Sequence, residues 1–572
     1  MVAVKRNVSS IVELISNQHW SKFKTEVLQT TNPEDVLKDL IAYQADPIQT
    51  LRYYTWSQRE LNISHPLDLT FRMLYGLVCV RKYDKIRSFF DQFIKREESS
   101  TVSSIFHSIA ISSNSLSASS IVVDILLLAF VRHLKSDLAL EGFKRSKDYG
   151  FRLSSVPCNA LMRALSEENK TGEVKYVYRE MIGRRIMPDV DSFNAVINGL
   201  CRARNLHKAL DVFKDMKEFG VQPNHTTYNS LLHGYCQLSK SVKMYNVNRI
   251  LKEMMAMGIP ANVITFNILI HSFCMDDNVS AAVKTLQEME RQGIKPSVVT
   301  FNTLIQKLCL DGKVKEAMNL RQEMIEMGLK PSTRTYNILL KGMCHNRMVL
   351  RAVELSKEME TENVPCSVIT YNILIDSYCK QGKLEDAVSL YDLMLVKGIC
   401  PTVCTYNCLI AGMCRTGDKE RIRHILHDMK SKNVSSDVVT YNIMIRSLCS
   451  KGKTRKGRTL LDEMIRRGVR PNHITYNTLI QGYFREGNTK AALAMRSLME
   501  KDGKKPNVAT YNVLLNGICM NGKLEDANGL LNEMLENGLV PNHVTYAIIK
   551  EEMIEKGFFP DIEGHVYNAP YC

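Results

Sequence analysis

Eleven asparagines stand at a nearly constant interval along this 572-residue chain: Asn159, Asn194, Asn229, Asn267, Asn302, Asn337, Asn372, Asn407, Asn442, Asn477 and Asn512. A carboxamide donates and accepts hydrogen bonds at once, which suits reading the edge of a nucleobase. A second polar series follows in step: Asp189, Asn224, Asn262, Ser297, Ser332, Ser367, Thr402, Asp437, Asn472, Asn507 and Asn542. Taken alone, the second series consists of ordinary N-cap and turn residues. The asparagines could likewise satisfy loose amides at a helix start, but Ser, Thr or Asp would do that equally well. One residue type fixed in every unit is better explained by a partner that repeats in step, with variation confined to the second series.

The interval is 35 residues, and it marks an array of supersecondary units rather than a globular enzyme core. Numbering each unit from 1 to 35, the eleven good units start at Ser155, Val190, His225, Val263, Val298, Thr333, Val368, Val403, Val438, His473 and Val508. The asparagine then lies at position 5 and the second series at position 35. The unit from His225 carries three extra residues around Ser239–Asn248. In the unit from Val368, Tyr371, Leu374, Ile375, Tyr378 and Cys379 form one helical face, with Thr370 expected as its N-cap. After Gln381-Gly382, a second face follows at Ala387, Leu390, Tyr391 and Met394, ended by Gly398 and Pro401. One such hairpin cannot bury its apolar face alone, whereas stacked neighbours bury a continuous core. The expected fold is all-α, a right-handed α-solenoid of helix-turn-helix repeats with a concave inner surface.

Composition narrows the function. A net charge of +15 favours a polyanionic partner, although an ordinary basic bias would give the same value. No run of about 18 apolar residues suggests a membrane span. Nine of the 16 cysteines fall at position 12: Cys201, Cys236, Cys274, Cys309, Cys344, Cys379, Cys414, Cys449 and Cys519. That position lies on the buried face of the first helix, where cysteine acts as a small hydrophobe. No C-x-x-C occurs, and the helix break at Pro401 separates Cys400 from Cys404 and Cys408, so neither a metal site nor a cofactor is expected. Walker and G-x-S-x-G motifs are absent, as are the H-x-E and P-C-x-x-C elements of a zinc deaminase. The expected activity is binding rather than catalysis, with no small-molecule substrate.

The ends of the chain are less regular. Residues 1–67 read as an N-terminal helical region, with N-P-E-D-V-L-K-D-L-I opening a helix at Asn32. Met1–Val12 has the basic, acid-free composition of a weak transit peptide, and Ile11–Ser16 fits a folded helix as well. Weaker units near Asp68–Val102 and Ser120–Ser154 make residues 68–154 a degenerate stretch. The good units cover 155–542, a shortened unit follows at 543–561, and 562–572 is a short tail.

The recurring V-T-Y-N-x-L-I, with Cys at 12, Ala at 20, Gly at 31 and Pro at 34, resembles the pentatricopeptide repeat family in its plain class of uninterrupted units. The resemblance implies binding of single-stranded RNA in an organelle, one base per repeat, with mitochondrion as the expected location and chloroplast as the alternative. It implies that positions 5 and 35 meet the base edge, that position 2 sandwiches the base, and that a basic position 13 meets phosphate. Asn159/Asp189 and Asn407/Asp437 then read U. Asn267/Ser297, Asn302/Ser332 and Asn337/Ser367 read C. Asn372/Thr402 reads a pyrimidine, as do Asn194/Asn224, Asn229/Asn262, Asn442/Asn472, Asn477/Asn507 and Asn512/Asn542. The implied target is 5′-U-Y-Y-C-C-C-Y-U-Y-Y-Y-3′, for RNA processing, stabilisation, splicing or translation. Position 2 holds Val156, Ile264, Val299, Ile369, Val439 and Ile474, and departs from that pattern at Asp191, Thr226, Arg334, Cys404 and Ala509. Position 13 holds Arg202, Lys380, Arg415 and Arg485. Proline sits one place early at Pro260 and Pro365, and Ser436 replaces it, which puts the local geometry of position 35 in question in those units. A protein-binding scaffold would show idiosyncratic residues at position 5, and a decayed copy would show a broken series there.

Overall fold

The structure is a computed structural model that describes residues 11–26, 32–95, 101–112, 115–237, 240–522 and 524–553. Its regular structure is helical throughout those residues, in two compact units, Met1–Pro296 and Ser297–Cys572. The proposed transit-peptide segment lies almost wholly outside the described residues, although 11–16 is helical with Ile15 fully buried. The tail and residues 554–561 of the shortened unit also lie outside them.

In the first unit, Pro33–Ala42 and Pro47–Glu60 precede two hairpins in the degenerate stretch, Leu67–Cys79 with Tyr83–Lys95 and Leu116–Arg132 with Ser136–Asp148. A further helix, Val102–Ser112, separates the hairpins. Four regular repeats follow. The second unit contains repeats 5 to 11 and the start of the shortened unit, His543–Ile548. Each unit is an α-solenoid of antiparallel hairpins. In all but two of the eleven repeats, the first helix (A) and the second (B) are 13 residues each, as in Val368–Lys380 and Leu384–Val396.

The local sequence accounts for these boundaries. Helix A begins at position 1, three residues earlier than the apolar pattern suggests. Its N-cap is the residue at position 35 of the preceding repeat, so Thr370 is not the cap. Ser367 Oγ accepts from the Thr370 amide at 3.3 Å, and Thr370 Oγ1 accepts from the Ser367 amide at 3.0 Å. This reciprocal capping box satisfies two amides that would otherwise face the end of the helix without partners. Periodicity placed Thr370 at the edge of the apolar face, whereas hydrogen bonding makes it the third residue of the helix. The proline departures leave capping intact: Asn262 and Asp437 still accept from Thr265 and Thr440 at 3.0 and 2.8 Å.

Tyr371, Leu374, Ile375, Ala387 and Met394 are buried as expected, and Leu390 is half-buried. Position 12 is small because position 10 of the next repeat presses on it. A Cβ on Gly234 would lie 2.8 Å from Cys201 Sγ, and one on Gly482 would lie 2.8 Å from Cys449 Sγ. Burial pushes the Cys201 thiol up to about 12 and that of Cys449 to about 11, so both stay protonated and inert near neutrality.

Several adjacent B helices are tied along one seam, from positions 24 and 28 of one repeat to positions 26 and 30 of the next. Lys217–Glu253 closes such a seam in the first unit. In the second unit, Arg321–Glu362 at 2.7 Å, Lys397–Glu360 at 2.5 Å and Arg496–Glu533 do the same. Tyr391 and Tyr406 both donate to Asp428, and Lys432 donates to Tyr391. The extra residues of repeat 3 are taken up within its B helix, Lys240–Ala256, which runs to 17 residues. A cavity of about 600 Å³ opens beside it, lined by Leu251, Met255, Phe266 and Phe273 among others.

Candidate nucleic-acid interface

Helix A places positions 2, 5, 9 and 13 along one side of the hairpin. Position 5 is buried or half-buried in every repeat. In repeat 8 its environment forms a three-residue clamp. Thr440, at position 3 of the next repeat, donates through Oγ1 to Asn407 Oδ1 at 2.7 Å. Asn407 Nδ2 donates to Asp437 Oδ1 at 3.3 Å, and Asp437 caps the next helix through the Thr440 amide. The same closure occurs around Asn159, Asn194, Asn229, Asn442 and Asn512. In repeat 3 the bond from Asn229 to Asn262 stretches to 3.5 Å. Position 35 is thus both N-cap and neighbour of the asparagine.

Serine and threonine at position 35 change the clamp. The Ser332 hydroxyl lies 3.1 Å from Thr335 Oγ1, and Ser367 is likewise 3.1 Å from Thr370. Neither hydroxyl reaches the preceding asparagine. Asn337 retains the bond from Thr370 at 2.8 Å, but the buried Oδ1 atoms of Asn302 and Asn372 have no partner. Asn477 Oδ1 is also unpartnered, although Asn507 follows it. Ser297 caps Val298–Leu310 through the Thr300 amide at 3.3 Å.

The aliphatic side chains at position 2 are exposed, against the usual economy of apolar surface: Val156 57%, Ile264 59%, Val299 61%, Ile369 62%, Val439 52% and Ile474 52%. A row of exposed β-branched residues beside a row of amides offers flat apolar contact next to hydrogen-bonding groups.

A profile of the PPR repeat family matches residues 153–202, 188–237, 261–310, 296–345, 335–377, 367–415, 401–450, 436–481, 471–520 and 506–551, and a PPR repeat profile matches 226–259. The chain belongs to the PPR repeat family. A pentatricopeptide repeat-containing protein of Arabidopsis thaliana is 30% identical over 161 residues, 28% of this chain and 14% of the relative. A mitochondrial one from the same plant is 24% identical over 204 residues, 35% of this chain and 37% of the relative. The matches therefore span well under half the length of these relatives. Among solved structures, PPR10 from maize superposes with a TM-score of 0.59 at 19% identity, over 91% of this chain and 76% of that one. PPR10 in complex with an 18-nt psaJ RNA element superposes with a TM-score of 0.53 at 19% identity, over 91% and 81%. These likenesses establish the α-solenoid fold.

Within the PPR array, Arg202, Arg415 and Arg485 at position 13 are exposed and hold no carboxylate among the described residues. Lys380 is tied to Asp376 at 2.6 Å, which makes it the least available of the four. Asp191, the acidic departure at position 2, is paired with Arg163 of the preceding repeat at 3.0 Å, so that site presents an ion pair rather than a bare carboxylate. Arg334, Cys404, Thr226 and Ala509 are exposed at position 2.

The sequence reading missed two sets of residues. Threonine at position 3 was taken for a cap and is instead the next repeat's donor to the asparagine. Position 9, four residues after the asparagine on the same stripe, is polar in every repeat except at Ala411. It supplies Arg163, Asp376 and the pair His233 and His271. Burial, then His271 and Arg202, lower the His233 pKa. The i to i+4 spacing from position 5 was the signal that could have found this row. For Asp189 and Asp437, burial favours the neutral acid. Hydrogen bonds outweigh it, including those from Ser192 and Asn159 to Asp189 and from Thr440 and Asn407 to Asp437. Both carboxyls are held below their ordinary pKa range.

Proposed function

We propose that this PPR array binds single-stranded RNA, one base per repeat, with 5′-U-Y-Y-C-C-C-Y-U-Y-Y-Y-3′ as its target. The observation that carries the reading is the clamp, which in repeats 1, 2, 3, 8, 9 and 11 joins positions 5 and 35 next to an exposed aliphatic row. The chemistry of position 35 supports the assignments. Uracil carries a proton on N3, and an acceptor-only carboxylate such as Asp189 or Asp437 complements it. Cytosine N3 is an acceptor, and a serine hydroxyl such as Ser332 can donate to it. An Asn carboxamide serves either pyrimidine. Val156, Ile264, Val299, Ile369, Val439 and Ile474 sandwich the bases, and Arg202, Lys380, Arg415 and Arg485 meet phosphate. The role is binding rather than catalysis, in processing, stabilisation, splicing or translation of an organellar transcript. The mitochondrial relatives in Arabidopsis thaliana favour that organelle.

Fluorescence anisotropy with U-C-U-C-C-C-C-U-C-U-C, and with its central C-C-C changed to A-A-A, tests the reading. With each mismatch costing ~1–3 kcal/mol, the first RNA should bind about 100-fold tighter or better. Equal, salt-sensitive binding of both would leave only charge holding the RNA. No binding of either would point to a scaffold or a decayed copy.

A further inference from the structure

Repeats 8 and 9, residues 403–472, contain 15 lysines and arginines against six acids, a net +9 of the whole chain's +15. Most of this charge lies on B helices and turns rather than on the clamp side. In the second unit, positions 24 and 28 of one B helix face positions 26 and 30 of the next, as the Arg321–Glu362 and Lys397–Glu360 pairs demonstrate. At the seam between Lys419–Ser431 and Thr454–Arg466, no such pair forms. Position 28 there is Lys430, facing Glu463 and Arg467, which are already bound to each other at 2.6 Å. Arg423 lies on the same flank as Lys430. Lys419 occupies position 17, where Val314, Val349 and Leu384 are buried in other repeats of the unit, and it is exposed instead. Across the seam, Lys456 stands at position 19, the position through which Arg421 reaches back to Glu385 at 2.7 Å in the preceding seam. Arg455 and Arg466 continue the charge on the side of their helix opposite buried Leu461. Lys419, Arg423, Lys430, Arg455, Lys456 and Arg466 are all exposed, and none has a carboxylate partner among the described residues.

We propose that this seam is a second nucleic-acid site, distinct from the clamp row, that holds the phosphate backbone of helical RNA. Its chemistry selects among polyanions. Single strands need side chains that lie flat against base faces as well as charge, and this seam has neither an exposed aromatic ring nor an aliphatic row like that of position 2. Protein interfaces centre on aromatic and apolar anchors, and here Ile465 is the only large apolar side chain exposed away from position 2. Duplex RNA needs neither, because it is recognised through shape and phosphate contacts. The inference goes beyond the single-strand reading and does not depend on it.

The test is anisotropy of a labelled 20-base-pair RNA hairpin that lacks the pyrimidine target, added to the full chain with and without saturating unlabelled 11-mer. The hairpin should bind in both cases. The quadruple variant K419Q/R423Q/K430Q/K456Q should weaken hairpin binding about tenfold or more and lower its salt slope by up to about 3.6, following counterion release of ~0.9 per phosphate. The same variant should bind the 11-mer with unchanged affinity, which also reports that it folds. The proposal is overturned if the 11-mer displaces the hairpin, or if the variant loses both RNAs equally. It is also overturned if the seam binds poly-glutamate and not the hairpin, since the partner is then an acidic protein. Hairpin binding lost in the variant, together with no specific 11-mer binding, would keep this site and reject the single-strand reading.

Discussion

Repeats 8 and 5 share a fold, a motif and an asparagine, yet they present that asparagine differently. In repeat 8, Asn407 is held at both ends, by Thr440 at 2.7 Å and by Asp437 at 3.3 Å. In repeat 5, Asn302 Oδ1 is unpartnered, and Ser332 turns its hydroxyl to Thr335 at 3.1 Å. Side-chain length accounts for the lost contact between position 35 and the asparagine. A carboxylate or carboxamide at position 35 can cap the next helix with one oxygen and still reach back to the asparagine, whereas a hydroxyl sits one bond closer to its backbone and can only cap. The residue that varies between repeats therefore sets the hydrogen-bonding group shown to a base and whether the asparagine Nδ2 is held, whereas Oδ1 depends on the next repeat's threonine, which reaches Asn337 beside Ser367 and leaves Asn477 unpartnered beside Asn507.

The largest expected effect comes from exchanging the varying residue. Ser332→Asp should move the preference at that register from cytosine to uracil, and Asp437→Ser should do the reverse, each by about 10- to 100-fold, or ~1–3 kcal/mol. Competition anisotropy with 11-mers differing only at the fifth or eighth base reads this directly. If both variants keep the wild-type preference, position 35 is a cap and nothing more.

A smaller difference should appear in stability. Thr440→Val removes the donor to Asn407 and leaves a buried carbonyl unsatisfied, while Thr335→Val removes a hydroxyl that serves only Ser332. Hydrogen exchange of Val438–Ser450 and Thr333–His345 should show the closed clamp losing about 1–2 kcal/mol more than the open one, the cost of one orphaned buried acceptor. Equal losses would mean that the two clamps are energetically alike.

Much of this was legible in the sequence. The period gave the hairpins, because Tyr371, Leu374 and Ile375 recur with helical spacing and bury with it. The asparagine series stood out because nothing in helix propensity demands one residue type eleven times. What the sequence hid was connectivity between repeats. Periodicity within one unit cannot show that Thr440 serves Asn407, 33 residues back. Nor can it show that Asp437 is a cap and a clamp together. Cysteine at position 12 read as small and apolar, but its reason, the close approach of Gly234 to Cys201 or Gly482 to Cys449, lies in the stacking of two units. The charge excess of repeats 8 and 9 was present in the composition. Only the ion pairs at other seams showed that six of its cations lack such partners.

The smallest predicted effect concerns pH, and it separates the two clamps by chemistry alone. Burial works against ionisation of Asp437, but hydrogen bonds from Thr440 and Asn407 outweigh it and depress the carboxyl pKa. A depressed folded-state pKa gives a contribution that is complete above the unfolded value of ~3.9 and is lost only as pH falls through the lower folded value. Uracil preference at the eighth base should therefore be flat from pH 7 to pH 5. Asn407→Ala removes one of the bonds that depress the pKa, so its carboxyl should protonate at a higher pH than in the parent chain, a shift that carboxyl NMR of Asp437 would follow. Repeat 5 has no carboxyl in its clamp, and neither its hydroxyl nor its amide titrates in this range. A fall in uracil preference between pH 7 and pH 5 would show that the closed clamp does not hold Asp437 ionised, and the contrast between the two kinds of repeat would then rest on side-chain length alone.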